Sequence, residues 1–142
     1  MHCPTEQNWE IMISKGDEFS QYFKITEEVY RGFVDIFKDN NFLHTDNAFA
    51  QAHGFREKVM HGNILNGFLS FFVGECLPFK NVIIHTQEIT YNNPVYMNDI
   101  LKFHAVVAGV HESVNTIELK FYFENANKQK VAKGKIQIGI LQ

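Results

Sequence analysis

An aspartate and a histidine, Asp39 and His44, stand five positions apart in the stretch Lys38-Asp39-Asn40-Asn41-Phe42-Leu43-His44. So many asparagines mark the stretch as loop-like, because Asn and Asp side chains close turns on their own backbone. Histidine suits proton transfer near neutral pH, and a nearby carboxylate can fix its tautomer or share the role of base. Each residue alone has a plainer reading, Asp39 as a turn cap and His44 as a surface histidine. His61-Gly62 follows seventeen residues after His44, and Ser70 lies eight positions beyond Gly62. A glycine that opens a helix offers a backbone N–H with no partner inside the helix. It equally gives steric relief beneath a packed strand. Ser70 can simply hydrogen-bond a carbonyl one turn back in its own helix. His44, His53 and His61 are eight or nine apart and no cysteine pair assists them, so no metal is expected. Glycine-rich phosphate loops and nucleophile-elbow sequences are absent.

These residues need rigid elements behind them. Gly62 to Leu77, closed by Pro78, is an apolar segment whose Ile64, Leu65, Phe68, Leu69, Phe71, Phe72, Val73 and Leu77 do not keep to one stripe. It reads as a helix buried nearly all round, roughly 24 Å long and too short to span a membrane. Gly67 and Gly74 are expected to let a sheet approach it closely. Before it, a strand is expected near Glu18 to Lys24. A helix capped by Thr26 follows, with Glu27 and Glu28 in its first turn and Val29, Phe33, Ile36 and Phe37 at helical spacing. Asp46 to His53 predicts a short helix stopped by Gly54.

After Pro78 the apolar period becomes two. Asn81 to Tyr91 reads as a long strand, and three more follow. Leu101, Phe103, Ala105 and Val107 mark the first, and Ile117, Leu119, Phe121 and Phe123 the second. Ala132, Gly134, Ile136, Ile138 and Ile140 mark the last. Short connections at His111-Glu112-Ser113 and Asn125-Ala126-Asn127-Lys128 point to antiparallel hairpins. An antiparallel sheet with one apolar face requires a cover, and the apolar helix supplies it. The fold class is therefore α+β, a sheet wrapped around a central helix.

Composition sets the outer bounds. A chain of 142 residues is read as one domain over 1–142 with room for a sizeable core. Fourteen phenylalanines imply a bulky core or a lipophilic interior. The net charge of −3 argues against nucleic acid as a partner. No uninterrupted apolar run reaches ~18 residues, so no membrane span is expected. The first residues lack the basic-then-apolar order of a secretory signal. Cys3 and Cys76 are too few for a disulfide framework, which fits a reducing cytoplasm.

Three motifs in order carry a family resemblance. Asp39-Asn40-Asn41-Phe42-Leu43-His44, the helix-opening His61-Gly62, and Tyr91-Asn92-Asn93-Pro94-Val95-Tyr96-Met97-Asn98-Asp99-Ile100-Leu101 together resemble the MaoC-like (R)-specific enoyl-CoA hydratases. The resemblance runs from about Ile25 to the C-terminus. It implies a hot-dog fold and hydration of trans-2-enoyl thioesters to 3-hydroxyacyl thioesters, or the reverse dehydration. Asp39 and His44 would be catalytic, holding and activating one water. Gly62 would bind the thioester oxygen through its N–H, and Asn41, His61 and Ser70 would border the substrate. No cofactor is implied. The implied partners are an acyl-CoA or acyl carrier protein thioester and a second copy of the chain, as a homodimer. Side chains such as Leu69 and Val73 would close the far end of the acyl tunnel.

The sequence departs from the family pattern at four places. Phe42 replaces a usual proline, Lys38 and Asn98 usual glycines, and Asn93 a usual arginine. A hot-dog thioesterase and a non-catalytic acyl-thioester binder remain as alternatives. Lys128, Lys130, Lys133 and Lys135 read first as a solvated face, with the phosphates of CoA or an acidic carrier protein as a lesser reading.

Overall fold

A computed structural model describes residues 9–142; Cys3 and the start of the N-terminal segment lie outside them. Strand β1, Glu18–Lys24, leads into helix α1, Glu27–Phe37. The Thr26 hydroxyl accepts from the Val29 N–H at 3.1 Å, as the capping position requires. Two short helices follow, α2 at Phe42–Thr45 and α3 at Asn47–Ala52, and then α4 at Asn63–Phe71. The segment expected as loop thus winds into one helical turn around His44, because the Asn41 side chain accepts from the Leu43 N–H at 2.9 Å and caps it. Gly54, at φ 87°, ends the α3 region in the left-handed conformation that glycine tolerates.

Helix α4 continues through a widened turn, Phe72–Cys76, before Pro78. Strands β2 (Val82–Tyr91), β3 (Ile100–His111), β4 (Thr116–Glu124) and β5 (Lys130–Ile140) complete an antiparallel sheet in the order β1-β3-β4-β5-β2. The alternation read from the sequence is the one that buries. Leu101, Phe103, Ala105 and Val107 of β3 face inward, with Ile117, Leu119, Phe121 and Phe123 of β4. Ile64, Leu65, Leu69, Phe72 and Val73 of the central helix meet them. Ring contacts such as Phe72–Phe103 at 4.7 Å and Phe103–Phe123 at 5.1 Å account for much of the phenylalanine content. The sheet curled over a central helix is the hot-dog arrangement.

Two expectations are corrected here. The helix is not buried all round, because a five-stranded sheet covers one side of it only. Asn63, Gly67, Ser70 and Phe71 are exposed along its other side. Gly67 and Gly74 lie on the uncovered side too, where an added Cβ would meet nothing within 4 Å, so they are not relief for the sheet. The edge strand β2 is likewise open, with Ile83 48% and Ile84 37% exposed.

Candidate active site

Asp39 follows the end of α1, whose last turn closes with Lys38 in the left-handed region at φ 61°, its N–H bonded to the Val34 carbonyl. Helix α2 carries His44. The Tyr30 hydroxyl of α1 donates to the His44 carbonyl at 2.7 Å and ties the two helices together. His44 Nδ1 lies 2.7 Å from the Val59 carbonyl. A carbonyl only accepts, so Nδ1 carries the proton and Nε2 keeps a free lone pair. That is the tautomer a general base needs.

His61 comes in from the other side. Its ring is 2% exposed, packs 4.1 Å from the His44 ring, and sets Nε2 at 2.9 Å from the Asp39 carbonyl. By the same logic Nε2 donates, and Nδ1 is a buried acceptor without a partner among the described residues. Burial pushes the His61 pKa down, against the raising effect of its bond to the Asp39 backbone; the adjacent His44 adds to the lowering and the Asp39 carboxylate opposes it. His61 is therefore a neutral ring that holds the backbone of Asp39. One nitrogen or oxygen from each of Asp39, His44 and His61 falls within 4.8 Å of the others. That trio has the makeup of a divalent-cation site, which the histidine spacing did not suggest. His53 is apart from it, bonded to the Phe49 carbonyl at 2.8 Å.

Gly62 caps the N-terminus of α4, and its N–H has no acceptor among the described residues. A Cβ there would stand 2.7 Å from the Tyr91 ring, so the steric reading of this glycine holds as well. Tyr91 is fixed in turn by Asn66, which donates to its hydroxyl at 3.1 Å and accepts from Gln87 at 2.6 Å.

Two cavities meet at these residues. One, of about 750 Å³, is an apolar groove between α1 and α4, lined by Val29, Phe33, Ile36, Phe37, Gly67 and Phe68, with Asp39 and Asn63 at its end. The other, of about 380 Å³, is lined by His44, His61, Gly62 and Asn63 on one side and Tyr91 to Val95 on the other. Asp39 and His44 thus stand where the two join, and Asn63 borders both.

Asn41 sits beside them as the cap of the His44 turn. Ser70 lies on the uncovered face of α4, roughly 12 Å along the helix from Gly62, and lines neither cavity. Leu69 and Val73, expected at the end of an acyl tunnel, are 0% and 4% exposed within the core against the sheet. Phe33, Ile36 and Phe68 line the groove instead. Tyr30 and the Val59 carbonyl escaped the sequence reading. Nothing in an isolated tyrosine or a backbone oxygen announces the histidine that folding brings to it.

The model of the MaoC like domain matches residues 11–129. The (R)-specific enoyl-CoA hydratase of Aeromonas caviae is 31% identical over 80 residues, 56% of this chain, and the match spans 60% of that enzyme's length. The (R)-specific enoyl-CoA hydratase of Rhodospirillum rubrum is 28% identical over 98 residues, 69% of this chain and 68% of the relative. The solved structure of the A. caviae (R)-hydratase involved in PHA biosynthesis superposes with a TM-score of 0.83, at 22% identity, over 91% of this chain and 98% of that one. With its fold, its helix-opening His61-Gly62 and a family match over most of its length, the chain belongs to the MaoC-like domain family.

Proposed function

We propose that the protein is an (R)-specific enoyl-thioester hydratase, acting reversibly as a 3-hydroxyacyl-thioester dehydratase. The observation that carries this is the position of Asp39 and His44 at the meeting of an apolar groove and a cavity opened by an unpaired helix N–H. An acyl chain in the groove and a thioester in the cavity would bring C2 and C3 between them. Membership of a family with two hydratase relatives supports the same reading.

In the forward direction, Asp39 and His44 hold one water. His44 Nε2 takes its proton as the oxygen bonds to C3, and the C2–C3 π electrons move toward the carbonyl. The Gly62 N–H, backed by the dipole of α4, stabilises the enolate oxygen. The proton then passes to C2 on the same face, and the double bond is gone while the thioester stays whole. The thioester acidifies C2 itself, so no step calls for an electron carrier. His61 keeps Asp39 in place. Asn41 keeps His44 in place by capping its turn.

The second element of the reading is a homodimer. The open face of α4 and the open edge of β2 lie free in one copy, with unpaired strand groups and exposed Ile83 and Ile84 along that edge. An edge of that kind invites pairing with another copy. A second copy over α4 would also roof the groove and cover Ser70, which would then border the substrate. Among the described residues no helix is long and apolar enough to cross a membrane. The free thiol of Cys76 is compatible with a reducing cytoplasm.

The test is to supply a short and a medium trans-2-enoyl-CoA and follow two signals, loss of the conjugated double bond and release of free thiol. Hydration removes the double bond and releases no thiol. Asp39→Asn and His44→Ala should each cost ~10²–10⁴-fold, and the double variant little more, because the pair acts on one water. Thiol release without hydration would make the protein a thioesterase. Activity that survives both substitutions would move the chemistry elsewhere.

A further inference from the structure

Negative charge that develops on a thioester oxygen is held best by more than one fixed donor. The Gly62 N–H is one, and most other side-chain donors of its cavity are already engaged. His44 Nδ1 and His61 Nε2 are bound to the Val59 and Asp39 carbonyls, and the Asn93 amide to the Lys130 carbonyl. Tyr91 is different. It ends strand β2, opposite Ala132 of β5, and its ring turns in toward α4. A Cβ on Gly62 would stand 2.7 Å from the ring atom Cε1 and 2.9 Å from Cζ, the carbon that bears the hydroxyl. The hydroxyl therefore lies beside Gly62, in the wall of the same cavity.

A relay of side chains sets how that hydroxyl uses its proton. Gln87, on the same face of β2 as Tyr91, donates from Nε2 to Asn66 Oδ1 at 2.6 Å. Asn66 Nδ2 in turn donates to Asn63 Oδ1 at 2.9 Å and to the Tyr91 hydroxyl at 3.1 Å. Oxygen and nitrogen of the Asn66 amide are thus both engaged, which holds its orientation. An amide nitrogen only donates, so the Tyr91 oxygen accepts there and its own hydrogen points elsewhere. That hydrogen has no acceptor among the described residues. Accepting one bond also polarises the O–H toward donating another. The sheet fixes the Tyr91 backbone and the relay fixes its far end, so the donor is set in place before any ligand arrives.

We propose that Tyr91 is a catalytic residue whose hydroxyl is the second donor to the thioester oxygen, beside the Gly62 N–H. Asn66 and Gln87 are positioning residues that aim it. The inference rests on the hydratase reading for the turnover it serves, but the bond to the ester can be read without turnover. Tyr91→Phe keeps the ring on Gly62 and removes only the hydroxyl. With crotonyl-CoA it should lower kcat about 10²-fold, the low end for one lost donor, and leave KM little changed. Asn66→Ala should lower kcat less and add nothing on top of Tyr91→Phe, because it acts through the hydroxyl; a fully additive loss would overturn the relay. The second readout is infrared. A donor to the thioester carbonyl weakens its C=O bond and lowers the stretching frequency. Carbon-13-labelled crotonyl-CoA on the Asp39→Asn/His44→Ala variant should show a stretch lowered from that of the free ester, and adding Tyr91→Phe should return part of the shift. An unchanged kcat in Tyr91→Phe overturns the assignment, as does a shift returned by Asn63→Ala and not by Tyr91→Phe. If the parent protein does not hydrate crotonyl-CoA, the hydratase reading fails and the infrared shift alone decides the donor. An ester that is not bound, or that shifts equally with and without the hydroxyl, then overturns it.

Discussion

His61 is 2% exposed, and its Nδ1 has no partner, while its Nε2–H holds the Asp39 carbonyl. A proton on Nδ1 would be a buried charge placed beside the Phe33 and His44 rings. Burial accordingly lowers the His61 pKa below its ordinary 6.5. In the window between the folded and unfolded values the unfolded chain binds more protons, so stability rises with pH. The contribution is fully present above the unfolded value and is lost as pH falls below it. His61→Gln retains an amide donor for the Asp39 carbonyl and removes the titration. Urea unfolding between about pH 5 and 8 should show a shallower loss on acidification in this variant than in the parent protein. Equal slopes would mean that His61 does not titrate with folding.

At the scale of elements, the departures from the family pattern land where the backbone tolerates them. Lys38 and Asn98, both at positions of usual glycines, adopt φ 61° and 69°. Phe42, at the position of a usual proline, is the first residue of α2, where proline's fixed φ and missing N–H would do no harm. The turn that aims Asp39 and His44 therefore keeps its path with other side chains. A lysine in the left-handed region is nevertheless strained. Lys38→Gly should raise unfolding stability by on the order of 1 kcal/mol, the cost of that conformation less the added freedom of the unfolded chain. A denaturant titration reads it at unchanged slope. Destabilisation instead would show that the Lys38 side chain does more than close α1.

For the whole molecule, the proposed homodimer would form over the open face of α4. Gly67 lies in the middle of that helix with open space where a Cβ would be. Within one copy, Gly67→Glu should be tolerated, and a better helix former gains up to about 1 kcal/mol over glycine. Across a helix-to-helix interface it sets a bulky charge where backbones would approach. Light scattering should return a dimer for the parent protein and a folded monomer for Gly67→Glu. A variant that stays dimeric would place the interface elsewhere.

Strands β3 and β4 could be read from the sequence because their apolar periods are local facts, and the period matches the face that buries. The period of α1 announced a helix, but Tyr30 is its buried residue, and Ile36 and Phe37 stay exposed on the groove because no element covers that side. Gly62 as the opening of the central helix was legible in the sequence, and the closeness of Asp39 to His44 was expected from the motifs that carry the family resemblance. Other features were not. That α2 is a helix depends on one Asn41 cap within a stretch whose composition says loop. That Gly67 and Gly74 face outward depends on which side of an apolar helix the sheet covers, and an all-round apolar pattern carries no such direction. Leu69 and Val73 went to the core for the same reason. The His44 tautomer depends on the Val59 carbonyl, and the neutrality of His61 on its enclosure by Tyr30, Phe33 and His44. A sequence states the period of each element, but only tertiary packing brings residues from distant positions within reach, and hydrogen bonding, burial and charge act over that short range.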